Sequence, residues 1–260
     1  ATIVDSDQAL ALAVASDPYA IGFTKYSNTN TAQQLPIIGQ CGLVVTPSEF
    51  NIRAEEYPLS YRLWAITTDK TQSKLQEAVM QIAMTKAAQP AIAVAEMIDL
   101  GLTRSAVDQQ GMRFASALQS NTIIDAIPRL QKMVAEMVVS ERLSATFRFE
   151  SGSRVLDERG RRDIARVVDL LNAETADNSG KTVRIMGFTD SLGNPDLNQE
   201  LSERRARQVL EALLTADPNL ERKVTFLPMG FGDVSPIGCD QSVTGRWINR
   251  RVEVWISAAT

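Results

Sequence analysis

Histidine is absent from this 260-residue sequence, which excludes Ser-His-Asp and Cys-His hydrolysis, His-based zinc sites and imidazole acid–base chemistry. Cysteine is scarce: Cys41 and Cys239 form no CxxC pair of the kind that marks a metal knuckle or a redox centre. They are compatible with one disulfide in an oxidising compartment or with two separate buried thiols. No apolar run reaches the roughly 18 to 20 residues of a membrane-spanning helix, and the greasiest stretch, 88–102, is interrupted by Glu96 and Asp99. Positive charge is not in excess either. With 27 Lys and Arg against 31 Asp and Glu, the net charge of −4 supplies no basic field for sequence-independent nucleic-acid binding. These absences favour a soluble binding protein over an enzyme, with no catalytic residue, metal ligand or cofactor assigned. The opening ATIVDSDQ has no Met, basic n-region or apolar h-region, and reads as a mature end or an internal cut.

The charge is distributed unevenly. Residues 1–140 hold 5 Arg and 5 Lys, whereas residues 141–260 hold 15 Arg and 2 Lys. Arginine is the planar, permanently charged fork suited to carboxylates and phosphates, so the second half carries the hint of anion recognition.

The first half opens with a helix-like stretch from Asp7 to Ala15, then two short strand-like runs, Ala20–Phe23 and Leu35–Ile38, separated by the loop SNTNT. The segment TPSEFNIRAEEYPLSYRLWAITT reads as turn, strand, turn, strand. From Lys74 to about Glu141 the spacing is helical, with Leu75, Val79 and Ile82, then Ile123, Ile124, Ile127, Leu130, Met133 and Val134. Asp17-Pro18-Tyr19-Ala20-Ile21-Gly22 and Tyr57-Pro58-Leu59-Ser60-Tyr61-Arg62-Leu63 resemble motifs from the last third of phosphate-type (PstS-like) periplasmic solute-binding proteins. The resemblance implies a partial solute-binding domain over 1–105, with a small anion as its ligand class. The loops that hold the anion in that family come from earlier sequence, so no ligand residue is carried over.

From Thr146 the pattern alternates. TFRFE is a short strand, and Leu156, Ile164, Val167, Val168 and Leu171 mark an amphipathic helix. TVRIMGF is a second strand running into the turn TDSLGNPD, and a helix follows from about Leu197 to Leu214. VTFLPM, a long loop and RRVEVWIS complete the order β-α-β-α-β-loop-β. This is an α/β (α+β) sandwich with a mixed sheet and both helices on one face, preceded by linking helices over 106–144.

At 100° per residue with Leu201 as zero, Val209 of the second helix falls at about 80°, Leu213 at about 120°, Ala206 at about 140° and Leu210 at about 180°, and Arg205 at about 40° lies inside this apolar arc. Arg204 and Arg207 point away. A buried guanidinium needs a carboxylate or other acceptor, because an unpaired charge costs several kcal/mol. Asp190, at the end of the preceding strand, reaches the same end of the sheet, while Asp196 or Asn198 can cap the helix. Two readings stay open: Asp190 and Arg205 satisfy each other or backbone carbonyls, or together they face a zwitterion, Asp190 holding an ammonium and Arg205 forking a carboxylate.

The runs TDSLGNPDLNQELSERRARQVLEALL and GFGDVSPIGCDQSVTGRWINRRVEVWI strongly resemble the OmpA-like C-terminal domain, whose pattern is T-D-x-x-G, N-x-x-L-S-x-x-R-A, then G-R-x-x-N-R-R-V-E. The resemblance covers roughly residues 145–257, within a domain placed at 145–260. It implies non-covalent binding to the diaminopimelate of the peptidoglycan stem peptide, by a protein of the periplasm or outer-membrane periphery. It further implies that Asp190 meets the ammonium and Arg205 the carboxylate, that Thr189 and Asn198 line the pocket, and that Arg250 makes a further contact. Asn249 and Arg251 are ranked as structural. Phe188 stands where the family commonly has histidine, so this position is expected to pack. Phe149-Glu150-Ser151-Gly152 departs from the usual F-D-x-N, so a polar contact is expected to be missing there.

Overall fold

The computed structural model describes residues 3–29, 32–64, 66, 73–120, 126–153, 155–174 and 180–257. The first half is built of short, serine-capped pieces. Helix α1 (Asp7–Ser16) starts where Ser6 Oγ accepts the Ala9 N–H at 3.1 Å, and α2 (Glu49–Arg53) where Ser48 Oγ accepts the Asn51 N–H at 3.1 Å. Helix α3 (Lys74–Ala83) opens on a reciprocal capping box between Ser73 and Gln76. Between α1 and α2 lies a minimal hairpin, β1 (Ile37–Ile38) paired antiparallel with β2 (Val44–Val45). Helix α4 (Gln89–Val94) and the two-residue β3 (Arg104–Ser105) follow.

The strands expected at Ala20–Phe23 and within 46–68 do not form among the described residues. Ile21 and Phe23 are 71% and 82% exposed: a strand needs a partner, and no strand among the described residues pairs with this run. In the second segment the Ser48 cap imposes α2 instead. That helix ends in a Schellman motif, the Glu56 N–H bonding to Asn51 O at 2.8 Å and the Glu55 N–H to Ile52 O at 3.0 Å. Glu55 takes the left-handed position (φ 56°) that usually goes to glycine. The expected helical positions Ile123 and Ile124, and parts of the two loops, lie outside the described residues.

Residues 106–144, expected as a helical linker, contain α5 (Gly111–Ser120), α6 (Ile127–Met137) and the start of β4 (Glu141–Arg148). The second half adds α7 (Glu158–Glu174), β5 (Thr182–Gly187), α8 (Pro195–Ala216), α9 (Leu220–Lys223), β6 (Thr225–Gly230), α10 (Val243–Asn249) and β7 (Arg251–Ser257). The sheet order is β3-β4-β7-β5-β6. The β5–β6 pair is parallel and the other pairs antiparallel, which is the mixed α/β sheet expected. The first large strand begins at Glu141, earlier than its alternating core TFRFE suggests.

One face of the sheet is apolar: Leu143, Phe147, Val183, Ile185, Val252, Val254 and Ile256 pack against Ile164, Val167 and Leu171 of α7 and Val209 and Leu213 of α8. The opposite face is covered as well. Met186, Phe188 and Trp255 meet Leu130, Met133 and Met137 of α6, so β7 is buried on both sides and Arg251, Glu253 and Trp255 are sealed from solvent.

Candidate ligand site at the end of strand β5

The end of β5 and the middle of α8 are brought together by two glycines in register, Gly187 and Gly230. A Cβ at Gly187 would sit 2.0 Å from Ser202 O, and one at Gly230 2.5 Å from Glu203 N, so only glycine allows the helix so close. Asn194 caps α8, its Oδ1 accepting the N–H groups of Asp196 (2.8 Å) and Leu197 (3.3 Å), with Pro195 at the first helical position. The cap is thus Asn194 rather than Asp196 or Asn198. From this start the buried stripe runs Asn198, Ser202, Arg205, Ala206, Val209, Leu213, placing Arg205 one turn beyond the close approach and on the inner face.

Beyond β5 the chain continues in pairing geometry for two residues. Phe188 N–H donates to Arg251 O at 2.8 Å and Thr189 N–H to Gly232 O at 2.9 Å. Phe188 packs, as expected: it is fully buried, stacks on Phe231 with ring centroids 5.8 Å apart, and lies under the Arg251 guanidinium at 4.2 Å. Asp190 then turns to the site. Its Oδ2 accepts from Arg250 Nη1 at 2.8 Å and its Oδ1 from the Leu192 N–H at 3.3 Å.

Arg205 does not pair with Asp190. Its Nε donates to Ser153 O and its Nη2 to Glu150 O, both at 3.1 Å, and its guanidinium lies 5.0 Å from the Phe149 ring centroid. The 150–153 turn, which departs from F-D-x-N, meets Arg205 through backbone carbonyls. Two buried polar atoms remain without a partner here, Arg205 Nη1 and Thr189 Oγ1. Burial pushes the Arg205 guanidinium down to about 10, the nearby Arg250 adding to the effect and Asp190 opposing it. At neutral pH it stays charged, in surroundings that offer dipoles and one shared carboxylate.

The other expected residues divide by role. Arg250 joins Asp190 to Phe149 O, donating from Nε at 3.0 Å. Asn198 spends its amide on the turn, donating to Asp190 O at 3.3 Å and Leu192 O at 3.1 Å. Asn249 and Arg251 are structural: Asn249 accepts the N–H groups of Ile237 and Gly238, and Arg251 donates to Glu253 at 2.6 Å. Sequence reasoning missed Asp240, whose Oδ2 accepts the Ser191 N–H at 3.0 Å. It sits in the long loop before α10, which has no periodicity to read.

Residues 148–250 match the OmpA family. This stretch is similar to OmpA-family domains. Among curated relatives, the probable lipoprotein YiaD of Escherichia coli K12 is 35% identical over 111 residues, 42% of this chain and 47% of that protein. Outer membrane porin F of Pseudomonas fluorescens is 30% identical over 125 residues, 48% of this chain and 35% of the porin. The chain thus spans about half or less of the length of these relatives. Among solved structures, the peptidoglycan-associated lipoprotein from Burkholderia pseudomallei is 18% identical with a TM-score of 0.37, covering 43% of this chain and 89% of that one.

Proposed function

We propose that the OmpA-like domain binds peptidoglycan non-covalently by gripping the zwitterionic end of diaminopimelate in the stem peptide, and so anchors a periplasmic or outer-membrane-associated protein to the wall. The observation that carries this reading is that Arg205 Nη1 and Thr189 Oγ1, on the two elements that meet at the end of β5, are both buried without a partner. Leaving buried polar atoms unsatisfied costs about 1–3 kcal/mol each, a cost that a ligand carboxylate removes by accepting from both. Asp190 is held by Arg250 and the Leu192 N–H, and a carboxylate so held retains lone pairs for an ammonium. Arginine suits the carboxylate because its fork offers two parallel donors. Arg205 lies beneath the 150–153 turn and is fully buried, so engagement moves that turn and exchanges its carbonyls for the ligand's oxygens. Recognition of this kind makes and breaks no covalent bond. That the relatives include a lipoprotein and an outer membrane porin supports the envelope location.

The rival reading, a phosphate- or anion-binding component of a transport system tethered to the wall, rests on motifs in residues 1–105. Their expected strands do not form among the described residues, and no observation favours it. The test of the preferred reading is co-sedimentation with purified diaminopimelate-type sacculi. Asp190→Asn and Arg205→Lys each keep the size of the side chain while removing the ammonium's counter-charge or the fork, and both should abolish retention with the far-UV spectrum unchanged. Retention by both variants at the wild-type level would sink the site.

A further inference from the structure

The turn that carries Asp190 is fixed from outside its own strand. Asp240 Oδ2 accepts the Ser191 N–H at 3.0 Å, its Oδ1 accepts from Asn249 Nδ2 at 2.7 Å, and its backbone O accepts from Arg246 Nη1 at 2.6 Å. A single carboxylate therefore ties the ligand turn to α10. The residue before it, Cys239, is disulfide-bonded to Cys41 at the tip of the β1–β2 hairpin. The tip is itself closed, Gly39 N–H donating to Leu43 O at 2.8 Å and Gly42 N–H to Gly39 O at 2.9 Å. Cys41 is exposed and Cys239 half-buried, so a small dithiol can reach the bond.

We propose that Asp240 is the positioning residue of the Asp190 turn and that the Cys41–Cys239 disulfide holds it in place, so that reduction weakens ligand binding while leaving every ligand-contacting group intact. The proposal rests on the peptidoglycan reading for its functional half. A dithiol supplies two electrons and two protons: the Cys41–Cys239 S–S bond breaks to two thiols as the reductant closes to its own disulfide. The hairpin then releases the 239–242 loop, and the acceptor for Ser191 drifts from the turn.

The experiment uses the full chain as oxidised wild type, as wild type treated with dithiothreitol, as the double variant Cys41→Ser/Cys239→Ser, and as Asp240→Asn and Asp240→Ala. Two readouts are taken together: hydrogen exchange at the Ser191 amide, with Ile185 in β5 as the internal control, and retention on sacculi. With Ile185 protected throughout, Ser191 should exchange about tenfold faster, the equivalent of one lost hydrogen bond, in the reduced, double-serine and Asp240→Ala proteins. Sacculus retention should fall with it. Asp240→Asn keeps one acceptor oxygen and should lie between. Ser191 exchange equal in all five proteins would overturn the proposal, as would faster exchange with undiminished retention. If exchange rises as expected but the oxidised wild type itself is not retained, the structural coupling stands and the peptidoglycan reading fails. Should the double-serine protein not fold, the reduced wild type and Asp240→Ala carry the same comparison.

Discussion

Between β4 and β7 the molecule buries Phe147, Val252, Val254 and Ile256 on one face and Trp255 on the other. Across residues 3–103, by contrast, the buried apolar side chains among those described are two alanines, Ala11 and Ala54. Tyr19, Phe23 and Trp64 of that first region are 94%, 82% and 62% exposed. Apolar burial at about 25 cal/mol per Å² therefore holds the sheet together but does little to place the first region. Polar links do that instead. Glu56 pairs with Arg142 of β4, Arg148 donates to Ala54 O (2.8 Å) and Glu55 O (3.2 Å), and Glu55 pairs with Arg159 of α7. Thr103 and Ser144 exchange two hydrogen bonds at 2.9 and 3.0 Å, and the disulfide closes the span of 198 residues. The lesson is that the sheet's second face is a charged socket. Arg142, Arg148, Arg251 and Glu253 line it, and Arg113 of α5 reaches Glu253 Oε2 at 2.8 Å.

The contrast can be broken most sharply at Glu253. Glu253→Gln leaves Arg113, Arg142 and Arg251 without their shared counter-charge and should cost roughly 3–5 kcal/mol, read from the urea midpoint of the full chain. A smaller but comparable effect is expected from opening the disulfide, about 2–5 kcal/mol for so long a closed loop. Its mark should be regional, with amides of β1 and β2 losing protection before those of β7.

Acid should act the same way, more weakly. Burial alone would raise the carboxyls of Glu253, Glu56 and Glu55, but the surrounding guanidiniums outweigh it and hold all three below the usual value of 4.5. Groups whose folded-state values are lowered contribute fully above the unfolded value, and the contribution is lost as pH falls through the folded one. The urea midpoint should therefore fall below about pH 4.5, with α2 exposed before the sheet. Asp163, raised by burial despite Arg159 and Arg166, opposes this in part. At the small end, Val79→Ser on the exposed face of α3 should change stability by no more than about 0.5 kcal/mol. A large loss there would show that the first region has an apolar partner.

Where side chains serve a repeating pattern, the sequence was readable. The alternation of Val252, Val254 and Ile256 and the 3.6-residue spacing through α7 and α8 led to the mixed sheet and its helices, and angular position alone set Arg205 on the inner face of α8. What lay hidden depended on partners distant in the chain. Nothing local announces the partners of Glu253 and Arg251, which include Arg113 of α5 and Ser235 O in the long loop. The 20–23 run looked like a strand because apolar residues describe a willingness to pair and not the presence of a neighbour. Of the two kinds of partner open to Asp190 and Arg205, backbone carbonyls take Arg205, at Ser153 O and Glu150 O, while Asp190 pairs with Arg250 rather than with Arg205. Which carbonyls these are could not be read, because backbone acceptors leave no trace in side-chain identity. Of the two possibilities for the cysteines, the disulfide is the one that forms.

On the proposed reading, Arg205 waits for a carboxylate beside an Asp190 that waits for an ammonium. Calorimetric titration of the oxidised chain with a stem peptide bearing diaminopimelate, against the same peptide bearing lysine at that position, tests it most directly, since lysine lacks the second carboxylate. Loss of a charge-assisted hydrogen-bonded contact is worth about 1.5–3 kcal/mol, so the lysine peptide should bind at least about tenfold more weakly. Equal affinity for the two peptides would contradict the account.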